Sequence, residues 1–301
     1  MNKNSFRSGF VAIIGRPNVG KSTLLNALIG QKIAAVTSKP QTTRHKILGI
    51  KNFPKAQLLF LDTPGIHRPH RSLNEYMVEM ARSTFQDANI FLFVTEPGEE
   101  ISPEDRGIYE AIRQSGKPIL VLINKVDKAN RLKLLPLMGK WLKELKADVV
   151  IPISALNSDG LSQIEAEIIQ RLPEGPSYFP EDQVTDQTER FLVSEIIRAK
   201  IMELTQEEVP YSVAIVIEEF KDPKETDIKK VIRIKAAIVT EKDSQKGILV
   251  GKGGQMIRKI GELSRKDIEA ELGQQVFLEL FVRVEQDWTK DPQKVQELAY
   301  S

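Results

Sequence analysis

Eight consecutive residues, Gly15-Arg16-Pro17-Asn18-Val19-Gly20-Lys21-Ser22, satisfy the pattern G-x-x-x-x-G-K-[ST] at every required position. The residue types suit one task. Glycines let backbone N–H groups turn inward around an anion, and a following helix N-terminus adds a favourable dipole. Lys21 can reach the outer phosphates of a nucleotide, and the Ser22 hydroxyl is placed to ligate Mg²⁺. The apolar run Phe10-Val11-Ala12-Ile13-Ile14 precedes the loop and the helix-like Thr23-Leu24-Leu25-Asn26-Ala27-Leu28 follows it, so the strand–loop–helix context is present. A glycine turn with a chance lysine has the same local appearance, and the decision rests on what lies downstream.

Three further polar stretches each follow an apolar run. Leu58–Leu61 leads into Asp62-Thr63-Pro64-Gly65, where a strand-end carboxylate can hold Mg²⁺ through water and Gly65 can present its N–H to a γ-phosphate. Ile119–Ile123 leads into Asn124-Lys125-Val126-Asp127. Asp127 can accept from N1–H and the N2 amino group of guanine, while adenine would leave a carboxylate there unpaired. The Lys125 stem can lie over the base plane. Val149–Ile153 leads into Ser154-Ala155-Leu156, a turn whose backbone N–H suits guanine O6. Any one of these is an ordinary loop. Four in this order, each at the carboxyl end of an apolar strand, describe a guanine-nucleotide site. A generic ATPase has no need of Asn-Lys-x-Asp. Between the first two motifs, Ser38-Lys39-Pro40-Gln41-Thr42-Thr43-Arg44-His45 is polar and aperiodic, as expected of a switch segment ordered by the γ-phosphate. One of its two threonines closes over Mg²⁺, with Thr43 preferred to Thr42. The expected catalytic groups are Lys21, Thr43 and Gly65, and the expected Mg²⁺ ligands are Ser22, Thr43 and Asp62.

The elements that must position these residues follow an alternating pattern. Residues 8–172 alternate apolar runs with amphipathic stretches at 104–115, 131–146 and 161–172, which predicts a mostly parallel α/β sheet with helices on both faces. Three prolines and a glycine in Leu172–Pro180 mark a linker, so the expected domains are 1–176 and 177–301. The second half changes pattern. A helix is expected at 188–205, strands at Tyr211–Glu218 and 229–239, a short helix, a Gly251-Lys252-Gly253-Gly254 turn, a helix over 255–272 and a strand at Val276–Val284. This α+β order around a Gly-x-x-Gly turn resembles a KH module, which clamps the backbone of a few single-stranded nucleotides. Lys246, Lys252, Arg258, Lys259, Arg265 and Lys266 surround the turn, and Glu262 is the one acidic residue from 246 to 266. RNA-binding residues are expected at Lys246, Gly251, Lys252, Gly253, Gly254, Arg258 and Lys259.

Composition narrows the class. The 301 residues are 41% hydrophobic, enough for two packed cores. The absence of cysteine excludes disulfides and thiolate metal sites and fits a reducing cytoplasm. His45, His67 and His70 form no metal-ligand pattern. Residues 1–9 lack the apolar core of a signal peptide, and no run approaches the ~20 apolar residues of a membrane span. The net charge of +2 conceals an asymmetry: residues 181–301 carry 19 Lys+Arg against 24 Asp+Glu, and the remainder 24 against 17. Nucleic-acid binding by the acidic second half must therefore rest on a local patch.

Taken together, GRPNVGKS, PQTTRH, DTPGIH, NKVD, ISA and VGKGGQMIRKIG, in that order on two domains, resemble the bacterial Era GTPase family over nearly the full length. The resemblance implies a P-loop GTPase domain followed by a KH-type domain, a GTP/GDP- and Mg²⁺-dependent switch that binds the 3′ end of 16S ribosomal RNA and assists assembly of the small ribosomal subunit. It also implies a cytoplasmic protein associated peripherally with the inner membrane, and a monomer is expected. Asn18 resembles the family's potassium ligand, and a monovalent cation there would supply positive charge in place of an arginine finger. One departure from the Ras-like pattern matters. Ile66, after Asp62-Thr63-Pro64-Gly65, cannot orient water, so no catalytic base is named. That keeps open a rival, a non-enzymatic RNA chaperone with structural nucleotide. A metabolic nucleotide enzyme has no use for the basic turn at 246–266.

Overall fold

The computed structural model describes residues 6–37, 39, 42–62, 86–223 and 230–299. They form two compact units. Of the described residues, one contains 6–34, 43–62 and 86–186; the other contains 35–37, 39, 42, 187–223 and 230–299.

The first unit is built on a six-stranded sheet in the order β2-β3-β1-β4-β5-β6. The strands are β1 (Arg7–Ile14), β2 (Ile47–Phe53), β3 (Ala56–Asp62), β4 (Ile90–Thr95), β5 (Ile119–Ile123) and β6 (Val149–Pro152). β1 pairs in parallel with β3 and β4, and β4–β5 and β5–β6 are also parallel; only β2 runs antiparallel, as a hairpin with β3. Strands covered on both faces read as unbroken apolar runs, and β3, β4 and β5 are buried at every residue. The helices α1 (Lys21–Ile29), α2 (Pro103–Arg113), α3 (Arg131–Glu144) and α4 (Leu161–Arg171) follow β1, β4, β5 and β6. Phe93, Tyr109 and Trp141 pack edge-on with centroids 5.4–5.7 Å apart, joining β4, α2 and α3. Parallel order places the ends of β1, β3, β5 and β6 along one carboxyl edge, where the four polar motifs begin.

The first unit extends to Asp186, ten residues past the boundary expected from the proline-rich stretch. The reason is hydrogen bonding. Gln57, fully buried on β3, accepts from Tyr178 and Phe179 N–H through Oε1 at 2.7 and 3.0 Å and donates to Phe179 O at 2.8 Å. Beyond it, Ile50 N–H donates to Val184 O at 2.8 Å, and Thr185 Oγ1 to Leu48 O at 2.7 Å. Residues 177–186 therefore finish the edge beside β2.

The second unit has a three-stranded sheet, β7 (Ala214–Lys221), β8 (Val231–Thr240) and β9 (Gln275–Val284), with β7–β8 antiparallel and β8–β9 parallel. Helices α5 (Glu189–Leu204), α6 (Asp243–Val250) and α7 (Gln255–Leu272) cover one face, and Ile197, Ile201, Ile234, Ile238, Leu249, Ile260 and Ile268 form the core between. Trp288 and a short α8 (Pro292–Ala299) pack on the opposite face against Ala214, Ala237 and Val239. β7 begins later than the alternation at Tyr211–Glu218 suggests. Val209–Tyr211 is a 3₁₀ turn, and Ser212 Oγ donates back to Glu208 O at 3.1 Å, which delays extension.

Candidate functional site

The loop after β1 leads into α1, whose N-cap Gly20 has φ +97° and brings no side-chain cap, an arrangement that suits an anion at the helix N-terminus. Glycine is required at position 20: a Cβ there would sit 2.3 Å from Asn124 Nδ2. Lys21 lies folded under the loop, 7% exposed, and its Nζ donates to Gly15 O at 3.1 Å and Arg16 O at 2.9 Å. Burial pushes this ammonium down from 10.5 to about 8, opposed by the nearby Asp62 carboxylate.

Beneath the loop three oxygens converge. Ser22 Oγ lies 2.7 Å from both Asp62 Oδ2 and Thr43 Oγ1, and Thr43 Oγ1 lies 3.3 Å from Asp62 Oδ2. Asp62 is fully buried at the end of β3. Two hydroxyls and a carboxylate form an all-oxygen donor set, and such hard donors fit Mg²⁺. The two candidate threonines part here: Thr43 joins this cluster, whereas Thr42 Oγ1 bonds Thr37 Oγ1 and Lys39 O, each at 2.7 Å. Thr63, Pro64, Gly65 and Ile66, with Ser38, Pro40, Gln41, His67 and His70, lie outside the described residues.

At the end of β5, Asn124 is 2% exposed and works as a strut. Its Nδ2 donates to Val19 O at 2.8 Å and its Oδ1 accepts from Ala155 N–H at 2.9 Å. Asn124, expected with Asp127 to read guanine, ties the phosphate loop to the turn after β6; in that turn, expected to offer a backbone N–H to guanine O6, the Ala155 N–H is engaged by Asn124. Lys125, at φ +63°, donates to Asn18 O at 2.6 Å and pairs with Glu96, which lays its stem along this edge. Asp127 is exposed beside Val126 in a 3₁₀ turn, and its Oδ1 accepts from the buried Ser154 Oγ at 2.6 Å. The hydroxyl orients the carboxylate, whose oxygens keep acceptor capacity for a base edge. Leu156 is exposed in the same turn.

Arg16 was expected to bind nucleotide as part of the phosphate loop. Its Nε donates to Asp105 Oδ1 at 2.8 Å, and this hydrogen bond holds the guanidinium above its ordinary value. Ser102-x-x-Asp105 marks only a helix start, and nothing local ties Asp105 to Arg16, 89 residues away.

In the second unit, the Gly251–Gly254 turn joins α6 to α7, and Gly254 caps α7 at φ +76° without a side-chain bond. The glycines differ. A Cβ on Gly251 would lie 2.8 Å from Met256 Cβ and 2.9 Å from its N, whereas Gly253, at φ +59°, faces open space. Gly251 thus serves the turn, and Gly253 leaves the surface clear. Beside the turn runs a groove lined by Gly254, Ile257, Arg258, Gly261, Glu262, Arg265, Leu278 and Leu280, so two arginines and one glutamate flank three apolar side chains. Lys246, Lys252 and Lys259 are exposed near it but do not line it. Leu278 and Leu280 of β9 escaped the sequence reading because they belong to a strand remote from the glycine motif.

Comparison with known proteins agrees with both halves. Residues 10–125 match the family model described as 50S ribosome-binding GTPase, and residues 208–289 match the KH domain model. The chain is 50% identical to GTPase Era of Syntrophus aciditrophicus (strain SB), covering 98% of this chain and 96% of that one. It is 44% identical to GTPase Era of Geobacter metallireducens (strain ATCC 53774 / DSM 7210 / GS-15) over 100% of both. A crystal structure of Era in complex with MgGDPNP and nucleotides 1506–1542 of 16S ribosomal RNA superposes with a TM-score of 0.93 at 42% identity, covering 98% of this chain and 99% of that chain. An Aquifex aeolicus Era variant bound to GDP and AlF₄⁻ gives the same TM-score and identity, covering 98% and 100%. The chain belongs to the Era family of GTPases.

Proposed function

We propose that this GTPase is a switch whose hydrolysis cycle governs its hold on the single-stranded 3′ end of 16S ribosomal RNA, and that it thereby assists assembly of the small ribosomal subunit. The observation that carries the reading is the convergence of Ser22, Thr43 and Asp62 under a loop whose lysine is already buried against it. In this account the amides of residues 15–22, continuing to Thr23, cradle the phosphates, and Lys21 moves from the Gly15 and Arg16 carbonyls to phosphate oxygens. Ser22 and Thr43, with Asp62 behind them, are the residues that would hold Mg²⁺. When bound, the ion neutralises charge on the β- and γ-phosphate oxygens. Asp127, oriented by Ser154, selects guanine, and the Lys125 stem covers the base. Thr63 to Ile66, outside the described residues, keep the γ-phosphate role expected from the sequence. Asn18 supplies a potassium site at the loop.

The second unit receives RNA along the groove between the Gly251–Gly254 turn and β9. Arg258 and Arg265 meet phosphates, and Ile257, Leu278 and Leu280 meet bases. The similar Era crystal structure holding nucleotides 1506–1542 of 16S ribosomal RNA supports that choice of RNA. Filter binding of a 3′-terminal 16S strand tests it with Gly253→Asp, which sets a negative charge in open space. Binding should be abolished while GDP affinity is retained; wild-type RNA affinity in a folded variant removes the RNA assignment.

Membrane association, where it occurs, is peripheral. Among the described residues no helix is long and apolar enough to cross a bilayer, and α3 exposes Leu132, Leu135 and Leu142, which suit surface contact. Sedimentation with anionic vesicles should fall in a Leu132→Ser, Leu135→Ser double variant; undiminished sedimentation eliminates this face.

A further inference from the structure

Asp105 stands 89 residues from Arg16 in sequence, yet one carboxylate joins three elements of the nucleotide domain. Its Oδ1 accepts from Arg16 Nε at 2.8 Å, and its Oδ2 accepts from Thr95 Oγ1 at 2.9 Å. Its backbone N–H donates to Ser102 Oγ, the N-cap of α2, at 3.0 Å. Asp105 and Thr95 are each 2% exposed. A carboxylate in the first turn of a helix is favoured by the helix dipole, and burial makes its partners consequential. Thr95 ends β4, so the carboxylate is fixed to the sheet independently of Arg16. What Arg16 adds is a tether on the phosphate loop. The tether reaches Lys21 directly, because the Arg16 carbonyl is one of the two acceptors on which Lys21 Nζ rests.

We propose that Asp105 is a positioning residue for nucleotide phosphate binding, acting through Arg16 to keep the loop amides and the Lys21 ammonium in register. Neither side chain needs to touch the nucleotide. The inference rests on the reading of residues 15–22 as the phosphate loop, which Lys21→Ala tests separately. If Lys21→Ala leaves GDP affinity unchanged, that reading fails; if Lys21→Ala loses affinity and Asp105→Asn does not, only the present inference fails.

The test is a double-mutant cycle on the full chain, with GDP and a non-hydrolysable GTP analogue as ligands. The variants are Asp105→Asn, Arg16→Gln and both together. Arg106→Ala, on the same helix as Asp105, breaks the exposed pair with Glu144 of α3 and is the control. Each single change should weaken GDP binding by about ten-fold, and the double variant should lie within about three-fold of the weaker single, as for residues acting through one contact. Arg106→Ala should match wild type. A second readout separates positioning from packing. Arg16→Lys, which keeps a cationic donor toward Asp105, should bind GDP within about three-fold of wild type, where Arg16→Gln does not. Losses that multiply to about a hundred-fold in the double variant overturn the proposal. So does an Arg16→Lys protein that binds GDP no better than Arg16→Gln. Should Asp105→Asn not fold, Arg16→Gln and Arg16→Lys decide alone: loss of affinity in the first and recovery in the second support the proposal, and wild-type GDP affinity in Arg16→Gln overturns it.

Discussion

Nucleotide binding by this chain should take up a proton, in an amount set by Lys21. In the empty loop Lys21 is buried, and desolvation lowers it from 10.5 to about 8, which costs the charged form about 3 kcal/mol. The sign follows from linkage. An unfolded lysine keeps its proton up to 10.5, so the penalty is fully present below pH 8 and is relieved as pH rises from 8 to 10.5. A bound phosphate reverses the preference, because opposite charge at contact favours the ammonium. With the bound value above 10, uptake should be about 0.1 proton at pH 7, about 0.5 at pH 8 and about 0.9 at pH 9, and affinity should fall about ten-fold between pH 7 and 9. The terminal phosphate, with a second pKa of about 6, is already ionised over this range and adds little. Calorimetric titration of GDP in two buffers of different ionisation enthalpy measures the proton count. Lys21→Ala should bind weakly and without alkaline proton uptake. No uptake at pH 8, or equal uptake in a Lys21→Ala protein that still binds, would refute the reasoning.

Other expectations follow from single contacts. Asp127→Asn should raise the GDP dissociation constant at least ten-fold, about 1.4 kcal/mol, and improve xanthosine diphosphate relative to GDP; an unchanged GDP affinity in equilibrium titration removes the base-reading role. Single-turnover GTP hydrolysis should be faster in KCl than in matched NaCl, and Asn18→Ala should lose the difference while retaining GDP; equal wild-type rates defeat the potassium site. Gly251→Ala should destabilise the second unit by about 1–2 kcal/mol, because a Cβ is forced to positive φ. It also meets Met256, whereas Gly253→Asp enters open space, so its fall in Tm should be the smaller; the reverse order contradicts the division of labour within the turn.

The residues proposed for the nucleotide site sit in short local runs, each tied to the end of one strand, so Lys21, Ser22, Asp62 and Asp127 can be singled out from their neighbours, and parallel pairing places the runs on one edge. The same locality concealed what joins the runs. Nothing beside Asn124 shows that its amide will bridge Val19 and Ala155, and nothing beside Asp105 points to Arg16, because these contacts arise only when strands distant in sequence become neighbours. The boundary at Asp186 was hidden for a similar reason: proline content marks where a helix must end but not which buried glutamine will capture the chain afterwards. Helix α8 was missed because it is short, and its reason to fold lies elsewhere, in the apolar face formed by Ala214, Ala237 and Val239. The groove lining at Leu278 and Leu280 reads in sequence as ordinary strand core.

The central claim is that one chain couples guanine-nucleotide state to RNA binding. It is tested most directly by measuring the affinity of the full chain for a 3′-terminal 16S ribosomal RNA strand in saturating GDP and in a saturating non-hydrolysable GTP analogue, at fixed salt. The account predicts affinities that differ by at least about five-fold between the two states, the lower range of a coupling between sites. The difference should vanish in Lys21→Ala. Equal RNA affinity in both nucleotides would contradict the switch.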